Sequence, residues 1–342
     1  MTDADEYFPG QYPLPYSRNF QRFETSITEE HIDGLDRNGF AVVDNFLGTG
    51  WATAILTEMQ WLYASRLMQP NQIRILDPDD APFNVTKPNI HELDLHHEDL
   101  REKVPEINEL FWQSHALAAH LNGLLPRLQL TTRPAQHTLK AQCNTGHGGC
   151  FPLHYDNPAP PDKRRLSALL YLNPDWKPGD GGEIVVSPFL GQPTTIEPCM
   201  DRLVLFFSET MLHRVLPCYA ERYCLTIWLD SDMANKDQEV LGSHKIPTVP
   251  GLDADMIAIL NKPSVQKQLS RAVYEEEYEE SIRQCFAGSN KGIDAMLARH
   301  SQAVAGIRGQ PELSHMVDLL RACKPKPRTV MRLPETSANI VP

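Results

Sequence analysis

Apolar and polar positions follow two different rhythms along this chain, and the changes between them divide it. Up to about residue 124, apolar residues recur at the 3.6-residue spacing of amphipathic helices. That spacing predicts one helix from Thr49 to Met68 and another over 105–124, with Pro105 suited to the first turn. Ser26-Ile27-Thr28-Glu29 has the form of a capping box, opening a short helix that Gly39 closes before a strand at Phe40–Asp44. Residues 69–89, rich in Pro, Asp and Asn, read as a long loop with room for a hairpin. From about 137 the texture changes to short apolar runs punctuated by turn residues. The runs are His137–Cys143, Phe151–Asp156, Leu166–Leu172, Gly182–Ser187, Thr194–Glu197, Leu203–Phe207 and Arg222–Leu229, which together predict a sandwich or barrel. After 250 the helical rhythm returns in charged stretches, read as a separate all-α extension whose acidic run Glu275–Glu280 is a solvated helix face.

The fold class is therefore α+β. An extended segment (1–25) precedes one domain (26–245, β core about 137–232), followed by a helical C-terminal region (246–323) and a tail (324–342) with the composition of disorder.

Composition narrows the partners more than the fold. Apolar residues at 41% and charged residues at 22% are those of a soluble globular protein. A net charge of −12 excludes a broad nucleic-acid surface, which needs Lys and Arg to replace counterions. No run of 18 apolar residues occurs and the N-terminus lacks a basic, apolar leader, so no membrane partner and no secretory route are expected. The 7 cysteines are dispersed and never form CxxC pairs, which suits a reducing compartment, cytoplasmic and/or nuclear. The sequon at Asn84-Val85-Thr86 is then without consequence. Cys143 and Cys150, flanking a Gly-rich turn at 144–149, read as buried small hydrophobes rather than redox partners. No feature sets an oligomeric state.

Chemistry concentrates at His154-Tyr155-Asp156. On a strand, His154 and Asp156 point the same way and Tyr155 the other. An isolated H-x-D is more often a surface pair than a ligand set, but here His213 follows, read as lying in the turn after the strand Asp201–Ser208. Two imidazoles and a carboxylate with open positions form the facial triad of non-haem Fe(II) oxygenases. Arg222, nine residues after His213, suits a second carboxylate held at the metal, because guanidinium binds carboxylate through two parallel N–H bonds. Arg222, Cys224, Thr226 and Trp228 share one strand face, as do Ser167, Leu169 and Tyr171. Of the rival clusters, His91-Glu92-Leu93-Asp94-Leu95-His96-His97 reads as a half-exposed strand or loop face. Gly146-His147-Gly148-Gly149 reads as a turn near the site's mouth, since no Lys-Ser/Thr follows it.

The stretches HYDN (154–157), LLYLNPDW (169–176), GDGGEIVV (179–186), IEPCMDRLVLFF (196–207) and the His213-to-Trp228 pattern resemble the 2-oxoglutarate/Fe(II) dioxygenases of the prolyl 4-hydroxylase superfamily, most of all its oxygen-sensing branch. The resemblance covers about 137–232 and stops before about 245. It implies a double-stranded β-helix, or jelly roll, with iron on His154, Asp156 and His213. Arg222 and Tyr171 would hold the distal carboxylate of 2-oxoglutarate, with Thr226 on the same wall and Leu169, Ile184 and Trp228 lining the pocket. It further implies Fe(II), 2-oxoglutarate and O2, with ascorbate a candidate reductant and a prolyl residue of a protein or peptide as substrate. Asp156 favours hydroxylation over halogenation, because related halogenases lack that carboxylate. Where that branch has a tyrosine ten residues before the first ligand, this chain has Asn144, which marks a difference in the pocket lining or the substrate entrance. Two other readings stand beside this one: an oxygenase acting on a small molecule or a non-prolyl side chain, and a catalytically silent binding module.

Overall fold

The computed structural model describes residues 22–76, 82–235, 246–286 and 290–325. Of the segment read as extended, residues 22–25 are helical, and residues 1–21 and the tail from 326 lie outside the described residues.

Eleven described strands form two sheets. They are β1 (Phe40–Val43), β2 (Gln69–Leu76), β3 (Pro82–Asp94), β4 (Thr138–Asn144), β5 (Gly149–His154), β6 (Arg164–Tyr171), β7 (Ile184–Ser187), β8 (Thr194–Ile196), β9 (Arg202–Phe207), β10 (Leu212–Cys218) and β11 (Arg222–Asp230). The larger sheet runs β1-β9-β6-β11-β4-β3-β2 and the smaller β5-β10-β7-β8, every pairing antiparallel. The two sheets enclose Leu169, Tyr171, Ile184, Val186, Ile196, Val204, Phe206 and Cys224 as the interior of a jelly roll.

Two elements sharpen or correct the sequence reading. The stretch read as a long loop with room for a hairpin holds β2 and most of β3, which pair with each other, because β3 also pairs with β4 on its other edge. A run so rich in Pro and polar residues has little strand signal of its own, and the ladder supplies what the composition does not. His213 stands in β10, between β5 and β7, and not in a turn. Pro217 hides this strand, since proline is ordinarily excluded from an inner position. The ladder to β5 is irregular between Val215 and Cys218, so no regular donor is required there.

On the outer face of the larger sheet lie α1 (Glu29–Asn38), α2 (Thr49–Ala64), the short α3 (Glu98–Arg101) and α4 (Pro105–Leu124). Their apolar stripes share one core with the sheet, including Ile55, Met59, Leu110, Leu117, Leu139 and Leu225. The cap of α1 is Thr28, whose N–H donates to His31 Nδ1 at 3.2 Å, while Ser26 belongs to the preceding helical turn. Gly39 closes α1 in the left-handed region, φ 80°. α2 ends at Ala64 rather than Met68, since Arg66 turns left-handed, φ 57°, on the way into β2. The approach to α2 is pinned to the sheet: Asp201 accepts from Leu47 and Gly48 N–H at 2.8 and 2.7 Å, just before the helix begins. Glu58 of α2 in turn accepts from Glu106 and Ile107 N–H, mooring α4.

The smaller sheet is covered by the C-terminal helices α5 (Ala254–Leu260), α6 (Pro263–Val273), α7 (Glu275–Cys285), α8 (Asn290–Arg308) and α9 (Pro311–Ala322). Leu153 and Leu212 of the sheet belong to one apolar cluster with Leu269, Val273, Tyr274, Tyr278 and Leu320, so this region shares a core with the strands. Ser281 Oγ accepts from Leu153 N–H at 3.0 Å and Tyr274 Oη from Leu190 N–H at 2.8 Å. Cys150 of β5 is joined by a disulfide to Cys285 at the end of α7, with Cα atoms 5.1 Å apart. That corrects the reading of Cys150 as a free buried thiol; its partner lies 135 residues away, where no sequence spacing signals it. Cys143 is free and buried, as expected. The acidic run of α7 is in part a docking face, with Glu275 and Glu276 against Arg321 and Glu277 against Lys324. No helix among the described residues is long and apolar enough to cross a membrane.

Candidate active site

β5 and β10 pair so that His154 and His213 are directly opposite each other, with ring centroids 4.3 Å apart. Asp156 follows two residues beyond His154, past the end of the strand, and its Oδ1 lies 3.3 Å from His154 Nε2 and 3.6 Å from His213 Nε2. One ligand atom from each of the three falls within 4.8 Å of the others, and among the described residues they are the one such cluster of three or more.

The orientation of each ligand is set by a second contact. His154 Nδ1 lies 2.8 Å from Pro152 O and His213 Nδ1 3.1 Å from Met211 O, so each ring donates to a carbonyl and turns its Nε2 lone pair inward. Asp156 Oδ2 accepts from Ser167 Oγ at 2.6 Å and Trp228 Nε1 at 2.9 Å, which leaves Oδ1 for the centre. Ser167 also bonds Ser208 Oγ at 2.7 Å. Burial favours the neutral carboxyl, but His213, His154 and the Ser167 hydroxyl outweigh it and hold Asp156 well below the usual carboxylate range. Burial, with His154 beside it, lowers His213 to about 4, so the imidazole is neutral and able to ligate near pH 7. Two imidazole nitrogens and one carboxylate oxygen on one side of a point suit a divalent ion with open positions.

A cavity of about 190 Å³ opens from this point. Leu169, Arg222, Thr226 and Trp228 line it with the three ligands. Tyr171 lies behind the wall, fully buried, with the Arg222 guanidinium 4.8 Å from its ring centroid. Its hydroxyl interacts with the Arg222 guanidinium, and neither it nor Arg222 Nε has a well-formed hydrogen bond to any other group. A buried hydroxyl and a guanidinium left open together are costly unless an anion completes them, so the residues present fit a carboxylate at this end. Ile184 is buried in the jelly-roll interior, outside the cavity lining. Asn144 is also elsewhere: its amide donates to Gly149 O at 2.8 Å and accepts from Gly146 N–H at 3.1 Å, tying the turn between β4 and β5. A Cβ on Gly149 would stand 2.6 Å from the Asn144 side chain, so this pair is fixed by close packing and not by the pocket.

Sequence reasoning missed most of the outer wall: Asn71, Lys87, Lys140, Gln142, Phe151 and Arg164. It placed Glu92 on a half-exposed face, where the residue in fact ion-pairs with Lys140 at 3.1 Å and borders the cavity. The role of Ser167 was within reach, since it shares the face of Leu169 and Tyr171.

A jelly roll carrying two histidines, one aspartate and a buried arginine at a single cavity defines a metal-dependent oxygenase of the 2-oxoglutarate class. Residues 139–230 match the family model described as the 2OG-Fe(II) oxygenase superfamily. A solved structure of prolyl 4-hydroxylases from Phytophthora capsici is 40% identical, covers 93% of this chain and 99% of its own, and superposes with a TM-score of 0.74. A prolyl hydroxylase in complex with a hypoxia inducible factor oxygen degradation domain peptide fragment, from Trichoplax adhaerens, is 25% identical over 67% of this chain and 98% of its own, with a TM-score of 0.52. Egl nine homolog 1 of Homo sapiens is 29% identical over 58% of this chain, which spans 45% of that relative's length. The chain belongs to the 2OG-Fe(II) oxygenase superfamily and, within it, to the prolyl 4-hydroxylase group, with likeness to the oxygen-sensing prolyl hydroxylases.

Proposed function

We propose that the chain is an Fe(II)- and 2-oxoglutarate-dependent dioxygenase that hydroxylates a prolyl residue of a protein or peptide, with O2 consumed and succinate and CO2 released. The observation that carries this reading is the division of labour at Asp156: one oxygen is fixed by Ser167 and Trp228 and the other faces two imidazole nitrogens, with an open guanidinium in the same cavity. Bound iron with its co-substrate supplies the oxidising power for hydroxylation, and ascorbate is the candidate reductant. The chain supplies position. Pro152 and Met211 carbonyls fix the histidine rings, Arg222 takes the far carboxylate of 2-oxoglutarate, and Leu169 and Trp228 keep the wall poor in water. The prolyl substrate draws its support from the relatives, one of which is held with a peptide fragment. Incubation of the full chain with Fe(II), 2-oxoglutarate, ascorbate and prolyl peptides, followed by mass spectrometry, tests it. A one-oxygen gain on proline is expected. Gain on another residue, or turnover only with a small molecule, would replace the prolyl reading.

A further inference from the structure

Two cations line the cavity with no carboxylate of the described residues in ion-pair contact. One is Arg222 at the inner end, and the other is Lys87 of β3 at the mouth. The remaining charges at the mouth are matched. Lys140 Nζ lies 3.1 Å from Glu92 Oε1 and 3.5 Å from Asp94 Oδ1, and Arg164 is held by Asp162. The second oxygen of Glu92 accepts from Asn71 Nδ2, and Glu92 and Asp156 attract Lys87 only at longer range, without ion-pair contact. The Lys87 ammonium instead stands 4.4 Å from the centroid of the Phe151 ring, in the cavity that His154 and Trp228 also line.

An ordinary surface lysine keeps its ammonium in water and its stem on the protein. Lys87 is half-buried at the cavity, where an unpaired ammonium loses hydration without a compensating ion. Burial lowers it to about 8, so it is still mostly an ammonium near pH 7, and an arriving anion would raise it again. With a chain charge of −12, the long-range field does not draw in an acidic ligand, so its capture has to come from a local cation. Arg222 is left open for the distal carboxylate of the co-substrate, and the same logic at the mouth calls for an anion of the second substrate.

We propose that Lys87 is a specificity-determining residue that binds the carboxylate of an Asp or Glu lying within a few residues of the hydroxylated one, so that the substrate class is an acidic peptide. This rests on the peptide-substrate reading above. The Phe151 ring beside the ammonium would keep the arriving ion pair out of water and so strengthen it.

The test uses the full chain with Fe(II), 2-oxoglutarate and ascorbate. Substrates are prolyl peptides carrying Asp or Glu at each of the two positions on either side of proline, beside their Asn or Gln counterparts. Each peptide is made with a free and with an amidated C-terminus, which separates a side-chain carboxylate from a terminal one. The wild type should show a peptide KM about tenfold or more lower for acid than for amide at one position. Lys87→Met should bring that ratio to about one, and Lys87→Glu should shift preference to peptides with Lys at that position. Anisotropy of labelled peptides with Ala in place of Pro reads the same ratio without turnover. An acid preference in binding but no hydroxylation of any peptide would sink the prolyl reading and keep the Lys87 assignment. A ratio unchanged in Lys87→Met, a wild-type ratio of one, or a preference carried by the free C-terminus overturns the assignment itself.

Discussion

At the inner end of the cavity, Leu169, Arg222, Thr226 and Trp228 stand on β6 and β11, two strands paired in continuous register from Cys224↔Tyr171 to Leu229↔Leu166. At the mouth, Asn71, Lys87, Glu92, Lys140 and Arg164 come from β2, β3, β4 and the first residue of β6. The inner end is a property of a single ladder: once the register is fixed, every second side chain points to the same place. The mouth is a property of assembly, where residues far apart in the chain meet only because the hairpin packs beside β4. Ladders of this kind hold what every turnover needs, and assembled rims hold what distinguishes one substrate from another.

That contrast can be broken in graded steps. Asp156→Ala or His213→Ala, read by iron-dependent succinate formation, should remove activity by more than the roughly 10- to 100-fold typical of outer contacts. Retained turnover would remove the triad from the reaction. Arg222→Ala should raise the 2-oxoglutarate requirement by about 30-fold or more while sparing iron binding, because one partner of a desolvated charge pair is lost. Unchanged co-substrate affinity would mean that the open guanidinium serves something else. Ser167→Ala releases Asp156 Oδ2 from its 2.6 Å contact and should cost about 10- to 100-fold in iron affinity or activity. Iron titration of the variant checks it.

Smaller effects are expected outside the cavity. Ser281→Ala, which removes the acceptor of Leu153 N–H, should cost about 1 kcal/mol, seen as a fall of a few degrees in Tm. His137 behind the larger sheet bonds Ser114 Oγ and Thr131 O, and burial lowers it to about 4. The folded state therefore holds it neutral while the unfolded chain protonates it near pH 6.5. Its stabilising contribution is complete above about pH 6.5 and is lost as pH falls towards 4. Urea titrations across that window should show a shallower pH slope in His137→Gln, with KM values for both substrates unmoved.

The same contrast explains what the sequence made legible. His154, Arg222 and Thr226 announced themselves because alternation on a strand is a local rule, whereas Asp156 reaches the site although the strand read as running to it ends at His154. The strand under His213 did not, since Pro217 argues against it and the ladder irregularity that admits proline is invisible in one chain. Asn144 was drawn to the pocket by its position, but its amide belongs to a tight turn. The hairpin at 69–94, the Cys150–Cys285 pair and the seat of the C-terminal helices on β5 depend on partners far along the chain. Nothing local encodes them.

β5, which carries His154, is the outermost strand of its sheet and is shielded by α7. All three metal ligands leave the ribosome well before that helix does. Without α7, β5 lacks the cover that Ser281 and Cys285 bring to it, and a bare sheet edge is a template for pairing with another chain.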